Sequence, residues 1–173
     1  MVLNTLTQDR FEHLRCSFGE EKLEGNLLIG KLGLATVDKG HLEHSMSVHD
    51  LTFTEEASGF LVENRYYKIS LSKDGSITSW KDKRTKNAPR EICRPGDRLN
   101  KLSIHQDVPF FWDAWDVMLH DFETVTELQA VSSRVLDVSP SRVRIEFTYK
   151  LHSGLSKIKQ RVCCYSDTAR VDF

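Results

Sequence analysis

Val108-Pro109-Phe110-Phe111-Trp112-Asp113-Ala114-Trp115-Asp116-Val117 is the stretch of this chain whose residue types could do chemistry. Two tryptophans and two aspartates fall between Trp112 and Asp116. An indole offers a flat face that stacks on the C–H face of a pyranose ring, and a neighbouring carboxylate accepts hydrogen bonds from sugar hydroxyls. Trp112, Asp113, Trp115 and Asp116 are therefore candidate substrate-binding residues. The same composition also suits an aromatic core strand whose carboxylates cap turns or pair with the basic stretch Lys81 to Arg98. On a strand, Trp112, Ala114 and Asp116 share one face and Asp113 and Trp115 the other. The two carboxylates then face apart, whereas a retaining glycosidase needs a pair about 5–5.5 Å apart. No catalytic residue is assigned.

The remaining chemistry-bearing residues are scattered. His41, His44 and His49 include the His-x-x-His spacing of metal ligands, but no third ligand stands at a fixed distance, and they read as solvated surface histidines. His13, His105, His120 and His152 are isolated. The four cysteines, Cys16, Cys93, Cys163 and Cys164, contain no C-x-x-C pair and read as buried thiols of a reducing compartment. No glycine-rich phosphate loop occurs, and no cofactor or metal site is expected in this chain.

The elements that must position these residues are strands. Tyr67, Ile69 and Leu71 alternate with Lys68, Ser70 and Ser72, the pattern of a half-buried strand. Lys73-Asp74-Gly75 is a hairpin turn, since Asp-Gly tolerates positive φ, and Ser76 to Trp80 returns. Val143, Ile145, Phe147 and Tyr149 alternate with Arg144, Glu146, Thr148 and Lys150. His152-Ser153-Gly154 turns the chain and Leu155 to Cys164 comes back. Shorter strands are expected in Leu27 to Val37, near Leu51 to Phe53, at Phe60 to Val62 and in Leu99 to His105. Lys81 to Arg98 reads as a solvated loop, and Phe122 to Val135 as a strand or a short helix. The fold class is mainly β, an antiparallel β-sandwich. The chain stops inside the apolar alternation of Val171 and Phe173, which reads as truncation.

Bulk composition agrees with an ordinary globular domain. The 173 residues are 39% hydrophobic and 28% charged, with 24 basic and 25 acidic side chains for a formal net charge of −1. That balance gives no argument for a nucleic-acid or anionic-membrane partner. No apolar run approaches the roughly 18–20 residues that span a bilayer, and Met1 to Arg10 lacks the pattern of a secretory signal.

Several stretches, in order, resemble one family. Asp107 to Val117 resembles the D-x-P-x-x-W-D-A-W-D stretch of α-mannosidases of glycoside hydrolase family 38, in their cytosolic and vacuolar branch. Leu61-Val62-Glu63-Asn64 and the strand after it resemble an L-E-N segment. Asp74 to Ser79 with Asp82-Lys83 resembles D-G-x-I-T-S-x-x-D-K. Gly96-Asp97-Arg98-Leu99 resembles G-N-x-F with Asp97 in place of Asn, and Ser156 to Gln160 resembles S-x-I-x-Q. Leu32 to Val37 is similar to an M-G-Y strand, with Leu34 at the aromatic position. The likeness runs from about Lys31 to Phe173.

The resemblance implies the start of the β-rich C-terminal half of an enzyme that hydrolyses terminal α-mannosides with retention. Its zinc ion and Asp nucleophile would sit in catalytic domains that this chain lacks. Residues 1–30 are expected to form a divergent arm or strand, and 31–173 a β-sandwich domain incomplete at its C-terminal end. The expected role is an accessory, carbohydrate-binding domain that packs on the missing catalytic part, in the cytoplasm or vacuole, inactive alone. A stand-alone carbohydrate-binding module and an inactive structural remnant are the alternatives.

Overall fold

The computed structural model describes residues 2–3, 10–29, 34–37, 50–85, 88–106, 108, 118–151, 154–166 and 168–173. Among the described residues fifteen strands follow one another: β1 (Val2–Leu3), β2 (Arg10–Phe18), β3 (Glu21–Ile29), β4 (Leu34–Ala35), β5 (Thr52–Glu55), β6 (Gly59–Glu63), β7 (Tyr67–Ser72), β8 (Ile77–Asp82), β9 (Arg90–Glu91), β10 (Leu102–Ile104), β11 (Thr126–Leu128), β12 (Ser132–Val138), β13 (Arg142–Leu151), β14 (Ser156–Tyr165) and β15 (Val171–Asp172). A single 3-10 turn, Leu119–Glu123, precedes β11 among the described residues.

Two antiparallel sheets make the sandwich. One has five strands in the order β5-β6-β7-β8-β9, the other four in the order β12-β13-β14-β15. Strict alternation sends one set of side chains from each sheet inward. In β7 the inward set is Tyr67, Ile69 and Leu71, and in β13 it is Val143, Ile145, Phe147 and Tyr149. With Phe60, Val62, Ile77, Val162 and Cys164 they form one continuous core, each at most 2% exposed. Phe60 and Phe147 meet across the layers edge to face, ring centres 6.0 Å apart. Burial pushes the Cys164 thiol up to about 12, so it stays protonated and inert. Its neighbour Cys163 points to the opposite face and is partly exposed.

The turn after β7 places Gly75 at φ +91°, as its Asp-Gly sequence requires. A register shift between Ser70 and Leu71 then brings Leu71 opposite Ile77. Two stretches differ from the sequence reading. Lys81 to Arg98 is not wholly a solvated loop: β9 pairs with β8, and the Cys93 side chain is buried beneath them. Phe122 to Val135 divides into the end of the 3-10 turn, β11 and the start of β12, because Thr126 to Leu128 pairs with β10 rather than with the large sheets.

The N-terminal region holds a long hairpin, β2 with β3, and the short pair β1 with β4. His13 lies against the Tyr165 ring at 5.5 Å and Arg15 lies 3.8 Å from Asp137. These contacts bring the hairpin to the outer face of the four-stranded sheet.

Candidate functional site

Trp112, Asp113, Trp115 and Asp116 lie outside the described residues, as do His41, His44 and His49. The segments on either side of the aromatic stretch are described, and they are fastened together. β10 and β11 pair antiparallel, Leu102 to Leu128 and Ile104 to Thr126. Leu102 and Leu128 pack on the sandwich core. Beyond the paired strands, the Gln106 N–H donates to Thr124 Oγ1 at 3.1 Å. The His105 Nδ1–H donates to the Asp121 carbonyl at 3.1 Å, and His105 Nε2 shares a 3.2 Å hydrogen bond with the Ser103 hydroxyl. Phe122 closes edge-on over the His105 ring, 5.7 Å between centres. Residues 107–117 therefore leave from, and return to, one hydrogen-bonded clamp.

Asp121 is the buried member of this clamp, 2% exposed. Its Oδ2 accepts the Met118 N–H at 3.1 Å, which secures the returning end. Its Oδ1 lies 3.2 Å from His120 Nε2 and accepts no hydrogen bond from the described residues. A Ser–His pair is half of a nucleophilic site. Here, however, His105 follows Ser103 by two residues at the end of β10, and the far ring nitrogen is committed to a backbone carbonyl. The arrangement holds a loop base rather than activating a hydroxyl. His105 and His120, isolated in the sequence, both meet Asp121. No sequence signal marks Asp121, because the His105 contact that ties its carbonyl to the other side of the aromatic stretch depends on the pairing of β10 with β11.

Stretches singled out in the sequence converge at two further places. At the β7–β8 turn, Asp74 accepts from the Ser76 N–H at 2.9 Å and from the Ser76 hydroxyl at 2.7 Å, and Arg98 reaches it at 2.5 Å. Burial pushes the Asp74 carboxyl up, but these hydrogen bonds and the Arg98 charge outweigh it and hold the group below its ordinary range. Asn100, at φ +57°, donates to the Gly75 carbonyl at 2.8 Å. It also exchanges two hydrogen bonds with the Gln160 amide, at 3.0 and 2.8 Å. The Tyr149 hydroxyl completes the group by donating to Gln160 Oε1 at 3.1 Å. The D-G-S, G-D-R-L and S-K-I-K-Q stretches thus meet at one polar joint between the sheets.

At the other end of β7, Asn64 is 2% exposed and uses both ends of its amide. Oδ1 accepts from the Tyr66 and Tyr67 N–H groups, at 2.8 and 2.9 Å. Nδ2 donates to the Tyr165 and Thr168 carbonyls of the opposite layer, at 2.9 and 2.8 Å. Lys83 joins the same joint through Glu63 at 2.5 Å and the Asn64 carbonyl at 2.7 Å. The E-N and D-K motifs therefore meet here as fastenings, not as a catalytic group.

The outer face of the four-stranded sheet carries a charged ladder. Arg134, Glu146 and Arg161 are cross-strand partners on β12, β13 and β14. Glu146 is 2% exposed beneath the two guanidinium groups, which donate at 2.8–3.1 Å. The Arg161 hydrogen bond, with Arg134, holds its carboxyl below the usual range against the effect of burial. Among the described residues no three His, Cys, Asp or Glu side chains come together to hold a metal ion. Among the same residues no helix is long and apolar enough to cross a membrane.

The sequence pattern of the Glycosyl hydrolases family 38 C-terminal domain matches residues 62–173, which include both joints, the clamp and the ladder. Alpha-mannosidase G of Dictyostelium discoideum is 30% identical over 123 residues, covering 68% of this chain and 11% of that protein. The chain thus spans about a tenth of the length of the curated relative it matches.

Proposed function

The chain belongs to the glycosyl hydrolase family 38 C-terminal domain, and from that premise we propose that it is an accessory, carbohydrate-facing β-domain of an enzyme acting on terminal α-mannosides. In this reading Trp112, Asp113, Trp115 and Asp116 contact the sugar. Residues 31–173 belong to the sandwich that carries them, and residues 1–30 form a divergent arm or strand. Bond cleavage, with its zinc ion and nucleophile, belongs to polypeptide outside this chain, on which the sandwich packs. The compartment is the cytoplasm or the vacuole.

One observation carries the sugar-contact reading. The clamp of His105, Gln106, Asp121 and Thr124 fixes both ends of the aromatic stretch against a core-anchored strand pair. A binding loop needs such a base, because recognition weakens when the contacting groups must be ordered at each encounter. The test is hydrolysis of a chromogenic α-mannoside by the purified chain, with and without added zinc. No turnover is expected in either case. Zinc-dependent turnover that survives removal of host enzymes would overturn the assignment of cleavage to other polypeptide.

A further inference from the structure

Asp74-Gly75 is the one Asp-Gly pair in the sequence, and no Asn-Gly pair occurs. An aspartate followed by glycine carries a reaction of its own. The glycine amide nitrogen attacks the aspartate Cγ and a C–N bond forms. The carboxyl hydroxyl leaves with the amide proton as water, and a five-membered cyclic imide remains. Water then opens the imide at either carbonyl and returns aspartate or isoaspartate, in which the main chain runs through the side-chain carbon. One water is released and one consumed, and no other reactant is needed. Glycine favours ring closure because no side chain shields its nitrogen.

In the fold each group that this reaction uses is committed elsewhere. The attacking nitrogen donates its N–H to the Ser72 carbonyl at 3.1 Å. The carboxyl under attack accepts from the Ser76 N–H and hydroxyl through Oδ1, and from Arg98 through Oδ2. Closure requires that carboxyl to turn toward Gly75 and to carry a proton, since a carboxylate has no good leaving group. Burial pushes the carboxyl up, but the Ser76 and Ser72 hydrogen bonds and the Arg98 charge outweigh it and keep the group ionised. The flanking carbonyls are tied as well. Asp74 O accepts the Ala130 N–H and Gly75 O accepts Asn100 Nδ2, both at 2.8 Å. The product fits no better than the transition to it. A single Cβ on Gly75 would sit 1.9 Å from the Tyr149 hydroxyl oxygen. The extra main-chain carbon of isoaspartate falls in the same turn, and it displaces the Gly75 carbonyl from Asn100 and the Asn100–Gln160–Tyr149 group with it.

We propose that Asp74-Gly75 is a latent imide-forming site that the polar joint between the sheets holds shut, so that isoaspartate at Asp74 is a lasting mark of a chain whose joint has opened. Chemical change of the opened state then competes with reclosing, and a chain so marked cannot rebuild the joint. The inference is independent of the sugar contact, which lies on another part of the fold.

The test ages the 173-residue chain near neutral pH, native and in urea. Isoaspartate is quantified by isoaspartyl methyltransferase labelling and located by tandem mass spectrometry of the peptide spanning Asp74. The unfolded chain should accumulate it at Asp74, and the native chain should do so more slowly by about tenfold or more, because the chemistry waits for local opening. This comparison needs no variant. Arg98→Gln, verified as folded by circular dichroism, should isomerise several-fold faster than the parent, whereas Arg90→Gln, on β9 and outside the joint, should match the parent. The isoaspartate form, separated by ion exchange, should melt several degrees lower. The proposal is overturned if the native and unfolded chains isomerise at the same rate, if folded Arg98→Gln is no faster than the parent, if Arg90→Gln accelerates the reaction as much, or if the isoaspartate form melts with the parent.

Discussion

Gly75 has no side chain because there is no room for one. A Cβ at this position would sit 1.9 Å from the Tyr149 hydroxyl oxygen, and φ is +91°. The turn chemistry of Asp74-Gly75 is visible in the sequence, but the contact with Tyr149 is not, since that residue comes from the opposite sheet. Gly75→Ala should therefore cost more than an ordinary turn substitution. It combines backbone strain of about 1–3 kcal/mol with displacement of the Tyr149–Gln160–Asn100 hydrogen bonds. A drop of several degrees in melting temperature is expected, and an unchanged melt would show that the joint is loose. Asn64 gives the same lesson. Its place in an L-V-E-N stretch is legible, whereas its two donations to Tyr165 and Thr168 depend on a layer contact that no local pattern reports. The candidate sugar residues Trp112, Asp113, Trp115 and Asp116 are named by composition alone, and the clamp that holds their segment rests on Asp121, which composition does not single out.

Among the elements, β7, β8 and β13 were readable because alternation is a property of a single strand. The pairings of β9 with β8 and β10 with β11 were not, since two- and three-residue strands carry too little period to see. The charged ladder lies between these cases: Arg134, Glu146 and Arg161 each look like solvated positions until the register of β12, β13 and β14 aligns them. That alignment has a consequence for acid stability. Glu146, Asp137 and Asp74 all have carboxyls held below their ordinary range in the fold. For Asp137, burial acts upward and hydrogen bonds from Arg144 and Arg142 outweigh it. An unfolded carboxylate titrates near roughly 4, so the unfolded chain binds more protons than the fold just below that pH. The stabilisation is fully present above the unfolded value and is lost as pH falls through the lowered folded values. Thermal melts from neutrality to about pH 3 should stay nearly level and then fall below about pH 4. Glu146→Gln should lower the plateau and shrink the acid drop. A melting temperature that holds or rises on acidification would contradict the ladder.

At the scale of the molecule, the described residues form a two-layer sandwich fastened at both ends of β7, with the β2–β3 hairpin on one outer face and a clamped strand pair, β10 and β11, flanking the aromatic stretch. The L-V-E-N, D-G-S, D-K, G-D-R-L and S-K-I-K-Q stretches fall at the joints, where they hold the layers in register. The most direct test of the sugar-contact account uses the three tryptophans, whose indole N–H signals separate in a nuclear magnetic resonance spectrum. Trp80 serves as an internal reference, since it packs edge-on against the buried Tyr67 at 6.3 Å. Titration with an α-linked mannose disaccharide should shift the Trp112 and Trp115 indoles, with smaller changes at His105 and Thr124, and leave Trp80 in place. No movement of either indole at saturating sugar, or movement of Trp80 alone, would contradict a carbohydrate-facing role for this segment.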